Sequence, residues 1–102
     1  VLIDNAQDLV TKVLPKQTEA EARRVLDRSL AMIAQMGLTS VHDAGLGVGQ
    51  DMLYRDYADQ GKLTTRVYGM IGDVAEDFDQ LAKKGPRKSY KNDMYALRAV
   101  KL

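Results

Sequence analysis

The residues with the clearest chemical potential are His42 and Asp43, which stand side by side before a glycine-rich segment. His42 is the only histidine of the chain. An imidazole beside a carboxylate can act as a general base with its orienting partner, or the two groups can bind a metal ion. Neighbouring residues of a strand point to opposite faces, so the two side chains converge only if the strand has already ended. The sequence therefore leaves open a catalytic role and a structural or supporting role.

The glycine-rich segment, residues 45–49, is similar to a phosphate-binding turn. The dinucleotide fingerprint requires glycines at its first, third and sixth positions. Counted from Gly45, the sixth position holds Gln50, and neither Gly-Lys-Ser nor Gly-Lys-Thr follows. The segment is therefore interpreted as a plain connection between a strand and a helix.

Two further places carry cations. Lys101 stands at the end of the last predicted strand, and Arg87, Lys88 and Lys91 surround Tyr90 in a polar segment. Basic groups around an aromatic ring can bind phosphate, but so few cations would bind nucleic acid weakly and only at low salt. By position alone, Lys101 is interpreted as a solubilising end and the basic segment as a solvated loop.

The composition excludes several classes of protein. The 102 residues carry a net charge of +1, so no strong field attracts nucleic acid or an anionic membrane. No apolar run approaches the ~20 residues that cross a bilayer. Cysteine is absent, which excludes disulfides and thiolate metal sites and agrees with a cytoplasmic protein. With one histidine and no cysteine, the chain is not expected to form a zinc site by itself.

The elements that must position these residues alternate between helix and strand. The clearest is a helix over 18–36, with Thr18 as N-cap, Glu21 as its capping-box partner, and Leu30 and Ile33 in its apolar stripe. The other patterns predict, in order, a short helix over 5–14, a strand over 38–43, a helix over 50–60, a strand over 63–71, a helix over 73–84, a loop over 85–93 and a strand over 94–102. Such alternation predicts an α/β fold of parallel βαβ units, with the first two strands as parallel neighbours.

These units are too few for a closed parallel fold. Three strands are short of a barrel's eight and would leave open sheet edges. The chain also lacks an initial Met and ends inside its last predicted strand. We therefore expect one partial domain over 1–102 that belongs to something larger and self-associates through its edges.

An ordered series of short blocks resembles the metal-dependent amidohydrolases of the third amidohydrolase family, which are similar to N-acyl amino-acid deacylases. The blocks are Asp4-Asn5-Ala6, Leu9-Val10, Leu14-Pro15, Thr18 with Glu21, residues 36–45, Leu53-Tyr54-Arg55, Ala58-Asp59, residues 61–64, Arg66-Val67-Tyr68, Met70-Ile71 and residues 99–102. They cover nearly the whole chain.

The resemblance implies a parent protein with a distorted TIM barrel and a small β-sandwich, in which this chain forms barrel strands two to four. The family's metal site uses an HxH pair on strand one, a lysine, often carboxylated, on strand four, histidines on strands five and six, and an aspartate on strand eight. Lys101 matches the bridging lysine. His42 is not part of an HxH pair, since Ser40 and Ala44 flank it at that spacing.

The leading hypothesis is thus a segment of a metal-dependent hydrolase that cleaves C–N bonds of a small molecule with metal-activated water. The resemblance implies a divalent metal, expected to be zinc, in the parent, and neither metal nor activity in the segment alone. His42 and Asp43 are its candidate catalytic residues and Lys101 its candidate metal ligand. No nucleic acid or membrane partner is expected. The alternative is a small self-contained α/β binding or regulatory module without catalysis.

Overall fold

The computed structural model describes residues 1, 3–72 and 75–102 and has an α/β fold built on one four-stranded sheet. A 3-10 helix at Asp4–Gln7 is followed by α1 (Asp8–Thr11), α2 (Glu19–Gln35), β1 (Ser40–Leu46), α3 (Val48–Asp59), β2 (Arg66–Ile71), α4 (Ala75–Ala82), β3 (Arg87–Tyr90) and β4 (Tyr95–Val100). The strand order is β1-β2-β4-β3.

The sheet is mixed but mostly parallel. β1 pairs with β2 and β2 with β4 in parallel, whereas β3 runs antiparallel to β4. The predicted parallel pairing of the first two strands is therefore confirmed. In this register His42 lies level with Tyr68, and Tyr68 with Ala96.

The predicted loop over 85–93 is wrong, because it contains β3. Arg87 and Tyr90 of β3 pair with β4. The turn that joins β3 to β4 runs through Lys91, Asn92 and Asp93, all at positive φ. Asn and Asp tolerate this left-handed region better than most residues. The four polar residues of β3 give no apolar alternation, so their pairing depends on contacts made far along the chain.

The predicted strand over 38–43 is displaced towards its carboxyl end. β1 continues through Ala44 and a bulge to Leu46, whose side chain is buried in the core. Gly45 sits in the bulge at φ +105°, and a Cβ on Gly72 would meet the Gly45 backbone at 3.0 Å. The glycines thus allow β1 and β2 to approach closely where the sequence suggested a turn.

The amino end of α2 is formed as predicted. The Glu21 amide donates to Thr18 Oγ1 at 3.2 Å, and the Thr18 amide donates to Glu21 Oε2 at 2.8 Å. These reciprocal bonds satisfy donors that the first helical turn leaves free. At the other end, Gly37 takes φ +74°, the left-handed conformation that ends a helix.

One core lies on one face of the sheet and draws on α2, α3 and α4. Its buried members are Leu26, Leu30, Leu46, Tyr57, Ala58, Leu63, Val67, Ile71, Leu81, Tyr95 and Leu97. Tyr57 joins α3 to α2, because its hydroxyl donates to Asp27 Oδ1 at 2.7 Å and to the Arg23 carbonyl at 3.2 Å. The helices therefore form a single layer against β1, β2 and β4.

Several predicted bounds shift. The strands over 63–71 and 94–102 are shorter than predicted, and the helix over 50–60 begins earlier, at Val48. Of the helix over 73–84, Ala75–Ala82 is helical, while Asp73 and Val74 lie outside the described residues. The short helix over 5–14 is α-helical only at Asp8–Thr11. Leu30 is buried as predicted, but Ile33 is only half-buried because it lies near the end of α2.

We expect Leu30→Ala to lower the free energy of unfolding by about 2–5 kcal/mol, because it removes a core side chain and leaves a cavity. Leu30 is only 5% exposed. Urea melts followed by circular dichroism measure the effect. Arg24→Ala, on the exposed side of the same helix, is the matched control and should change stability by about 0.5 kcal/mol or less. Equal, small effects for both variants would mean that α2 is not docked.

Candidate functional site

His42 lies on the face of the sheet opposite the helices. Its side chain is exposed, and its ring packs on Tyr68 with centroids 5.0 Å apart and a 40° tilt between the planes. The predicted site residue is thus accessible, but its closest aromatic neighbour comes from β2 rather than from its own strand. The structure therefore gives His42 a cross-strand partner and not the adjacent carboxylate.

Asp43 points to the helix-covered face instead. The Tyr54 hydroxyl of α3 donates to Asp43 Oδ2 at 2.7 Å. Burial of the Tyr54 ring, together with this carboxylate, raises the pKa of the Tyr54 hydroxyl above its ordinary value. Because β1 continues to Leu46, alternation separates His42 from Asp43 and the two groups do not converge.

Lys101 follows β4 at the carboxyl edge of the parallel strands. Its backbone amide donates to the Ile71 carbonyl at 2.8 Å and extends the ladder beyond Val100. His42 lies level with Tyr68, and Lys101 lies one position beyond Ile71, so about 13 Å along the strands separates their backbone positions. Within residues 1, 3–72 and 75–102, no group of three or more His, Cys, Asp or Glu could hold a metal ion.

The glycine-rich segment is a connection in which one of the backbone donors is already used. The Gly47 amide donates to Gln50 Oε1 at 3.2 Å, within the first turn of α3. A Cβ on Gly47 would run into the carboxylate of Asp77, which projects from α4. This acid lies at the amino end of α3, where the helix dipole favours a negative charge. An internal carboxylate therefore stands where a phosphate would have to bind.

The basic segment is largely neutralised by ion pairs. Arg87 contacts Asp51 at 2.6 Å, and Lys91 lies 3.4 Å from Asp59. The Tyr90 hydroxyl also donates to Asp59, at 2.9 Å. Two of the three cations thus serve to attach the β3–β4 hairpin to α3. This arrangement favours a structural role for the segment over a phosphate patch.

Asp51 is a buried carboxylate that the sequence patterns did not single out. Only 1% of the residue is exposed, and it accepts hydrogen bonds from Arg87 Nη1 at 2.6 Å, Arg55 Nε at 3.1 Å and the Tyr95 hydroxyl at 2.8 Å. These donors come from β3, α3 and β4. Positions 51, 54 and 58 lie on one side of a helix. An acid on this side of α3, which faces the core, was the sequence signal that could have identified Asp51.

The face of the sheet away from the helices, here called the open face, has its own cluster. Register and alternation place on it Ser40, His42, Ala44, Arg66, Tyr68, Met70, Ala96 and Ala99. Arg98 lies in the irregularity of β4 between Leu97 and Ala99, and its contact with Tyr68 places it on this face too. The Arg98 guanidinium carbon lies 5.4 Å from the centroid of the Tyr68 ring, on which His42 also packs. The sequence did not point to Arg98, because only the pairing of β2 with β4 brings it to the Tyr68 ring.

Comparison with known proteins gave no match: no family model, curated protein or solved structure is significantly similar to the chain. In the described part of the chain, no helix is long and apolar enough to cross a membrane.

We expect Asp51→Asn to lower the free energy of unfolding by about 3 kcal/mol, because it removes the buried charge that Arg87 and Arg55 face. Chemical unfolding monitored by circular dichroism tests this. Asp59→Asn is the matched control, since Asp59 ends the same helix and pairs with Lys91 in solvent; it should cost at most about 1 kcal/mol. If Asp51→Asn is no more destabilising than Asp59→Asn, the buried network does not hold the hairpin.

We expect stability to fall as the pH rises above about 10. Burial, then the nearby Asp51 carboxylate, raises the pKa of Tyr95 in the folded chain. Above the ordinary tyrosine pKa the unfolded chain therefore loses a proton that the folded chain retains, which favours unfolding. Urea midpoints between about pH 8 and 11 measure the slope. Tyr95→Phe should make the fall of stability with pH less steep. An unchanged slope would contradict the assignment of this pH dependence to Tyr95.

Proposed function

We propose that the chain forms strands two to four of the barrel of a metal-dependent amidohydrolase, which hydrolyses C–N bonds of a small-molecule substrate. In that proposal the metal, expected to be zinc, activates the attacking water. Two independent lines support it: the ordered blocks that resemble the third amidohydrolase family, and the one-sided layering of the sheet. The activity is assigned to the whole barrel and not to these residues alone.

The observation that carries the proposal is that, among the described residues, the helical core lies on one face of the sheet. β1, β2 and β4 are parallel, with α3 between the first pair and α4 in the second connection. Doubly wound sheets cover both faces with helices, whereas a barrel has helices outside and side chains inside. Since the core of α2, α3 and α4 lies on one side, the layering favours a barrel segment.

A second feature concerns the edge beside β4. β3 pairs with β4 at Tyr95 and Leu97, in the first half of that strand. Next to its second half lies a hollow of about 230 Å³, lined mainly by apolar groups such as Phe78, Pro86 and Val100. A free half-strand next to an apolar hollow is suited to a further strand and helix, as a longer barrel would supply.

The residues described do not fit a complete metal site. Alternation along β4 sets Lys101 on the face opposite Val100, which pairs with buried Ile71. A bridging lysine inside a barrel would take that position, but His42 is about four residues further down the sheet and Asp43 points to the helices. Lys101 is thus the only residue here that matches a ligand of the family, and every other ligand would have to come from elsewhere.

We expect the 102-residue chain to hold no stoichiometric zinc and to hydrolyse no amide. Zinc sites in proteins need three or four protein ligands, and one lysine cannot retain the ion. Elemental analysis after dialysis measures this directly. About one tightly held zinc per monomeric chain would contradict the proposal.

The decisive experiment extends the chain into the coding sequence on either side. The longer protein should hold zinc and hydrolyse members of a panel of N-acyl amino acids and simpler amides. Lys101→Ala should remove the bound metal and the activity together, whereas Lys88→Ala, at an exposed position of β3, should change neither. A longer protein without metal, or one in which Lys101→Ala retains both properties, would overturn the proposal.

The β3–β4 hairpin favours the alternative of a self-contained α/β module without catalysis. β3 covers part of one sheet edge, and Asp51 fixes it to α3 through Arg87. A self-contained module should be monomeric, whereas a barrel segment should associate through its uncovered edge. Size-exclusion chromatography with light scattering separates the two: a monomer that unfolds cooperatively supports the module, and concentration-dependent association supports the segment.

A further inference from the structure

In the part of the chain that the structure describes, the open face of the sheet carries positive charge and no acid. Arg66 and Arg98 flank Tyr68, and His42 packs on the same ring. The other described members of this face are Ser40, Ala44, Met70, Ala96 and Ala99, with Lys101 just beyond the end of β4, so none of them is an Asp or Glu. The acids nearest in sequence, such as Asp43, point to the helices instead. The face therefore presents cations that the chain itself does not neutralise.

Arg98 differs from the arginines of the helical layer. Arg23 pairs with Asp56 at 2.6 Å, and Arg55 and Arg87 pair with Asp51. Within the described residues, Arg98 has no carboxylate at ion-pair distance, and its guanidinium packs on the Tyr68 ring. A guanidinium that packs on a ring keeps its edge of N–H donors available, and that edge matches the two oxygens of a carboxylate.

We propose that the open face binds the carboxylate of an aromatic or other apolar organic acid. Arg98 forms the ion pair, His42 provides a second polar contact across the Tyr68 ring, and half-buried Tyr68 and Met70 receive the apolar part of the ligand. Parallel sheets are usually covered on both faces, so an exposed apolar strip here favours an occupant. The inference stands on this face alone and does not rest on the amidohydrolase proposal.

Charge complementarity selects this ligand over the other candidates. Two copies of the chain packed face to face would bring Arg98 and Arg66 of each copy against like charges, which disfavours a homodimer through this surface. Nucleic acid would need many more phosphate contacts than these few cations offer. A small acid can be bound through one guanidinium fork with an apolar surface beside it.

The test uses benzoate as probe and benzamide as its neutral analogue of similar shape. In ¹⁵N–¹H spectra of the 102-residue chain, benzoate should shift the amides around residues 42, 68 and 98. Benzamide should bind about tenfold more weakly, because it lacks the charge that Arg98 recognises. Inorganic phosphate, which has no apolar part, should also bind more weakly than benzoate. Ligand-detected saturation transfer gives the same comparison if the chain self-associates.

Matched variants locate the interaction. Arg98→Gln should weaken benzoate binding about tenfold, while Arg24→Gln, at an exposed position of α2, should leave it unchanged. If Arg98→Gln does not fold, Arg98→Lys retains the charge without the fork and should bind severalfold more weakly. The proposal is overturned if benzoate shifts no amide of the open face, if benzamide or phosphate binds equally well, or if the Arg98 variants bind as the parent chain does.

Discussion

The structure depends on the neutralisation of one buried carboxylate, that of Asp51. A carboxylate so far from water is destabilising unless donors surround it, and here Arg55, Arg87 and the Tyr95 hydroxyl provide them. Each donor belongs to a different element, so satisfying one charge fixes α3 against both β3 and β4. Tyr95 also packs on the Tyr54 ring, with centroids 5.5 Å apart. Through Tyr54 the constraint reaches Asp43 on β1, the edge strand farthest from β3.

This network explains why the two faces of the sheet differ in charge. The acids on the helical side of the sheet accept hydrogen bonds from donors on the same side: Asp27 from Tyr57, Asp43 from Tyr54, and Asp59 from Tyr90. With these acids engaged among the helices, the described residues of the open face are cations, an aromatic ring and small or apolar side chains, without a carboxylate. The same arrangement that stabilises the core therefore makes the opposite face chemically selective. A ligand or a covering element there has to complement positive charge.

Local signals were predictable from the sequence, and long-range ones were not. The capping box of Thr18 and Glu21 acts within one helical turn, so residue spacing alone identified it. β3 exists because Arg87 reaches Asp51 across 36 residues of chain, and no pattern inside the segment records that contact. Asp51 was missed for the same reason. A charged residue is expected at the surface, and the burial of Asp51 is explained by donors that come from distant parts of the chain. The placement of the helices on one face of the sheet likewise depends on which elements pack into the same core.

The candidate site shows how register outweighs adjacency in the chain. His42 and Asp43 suggested a catalytic pair because they are neighbours in sequence, yet alternation along β1 sends them to opposite faces. His42 instead contacts Tyr68 of β2, and Arg98 of β4 packs on the same ring. If a longer barrel encloses the open face, the Arg98 guanidinium becomes buried, and an unpaired buried charge is strongly unfavourable. The enclosing segments must then bring a carboxylate to Arg98, or leave room there for a ligand that carries one.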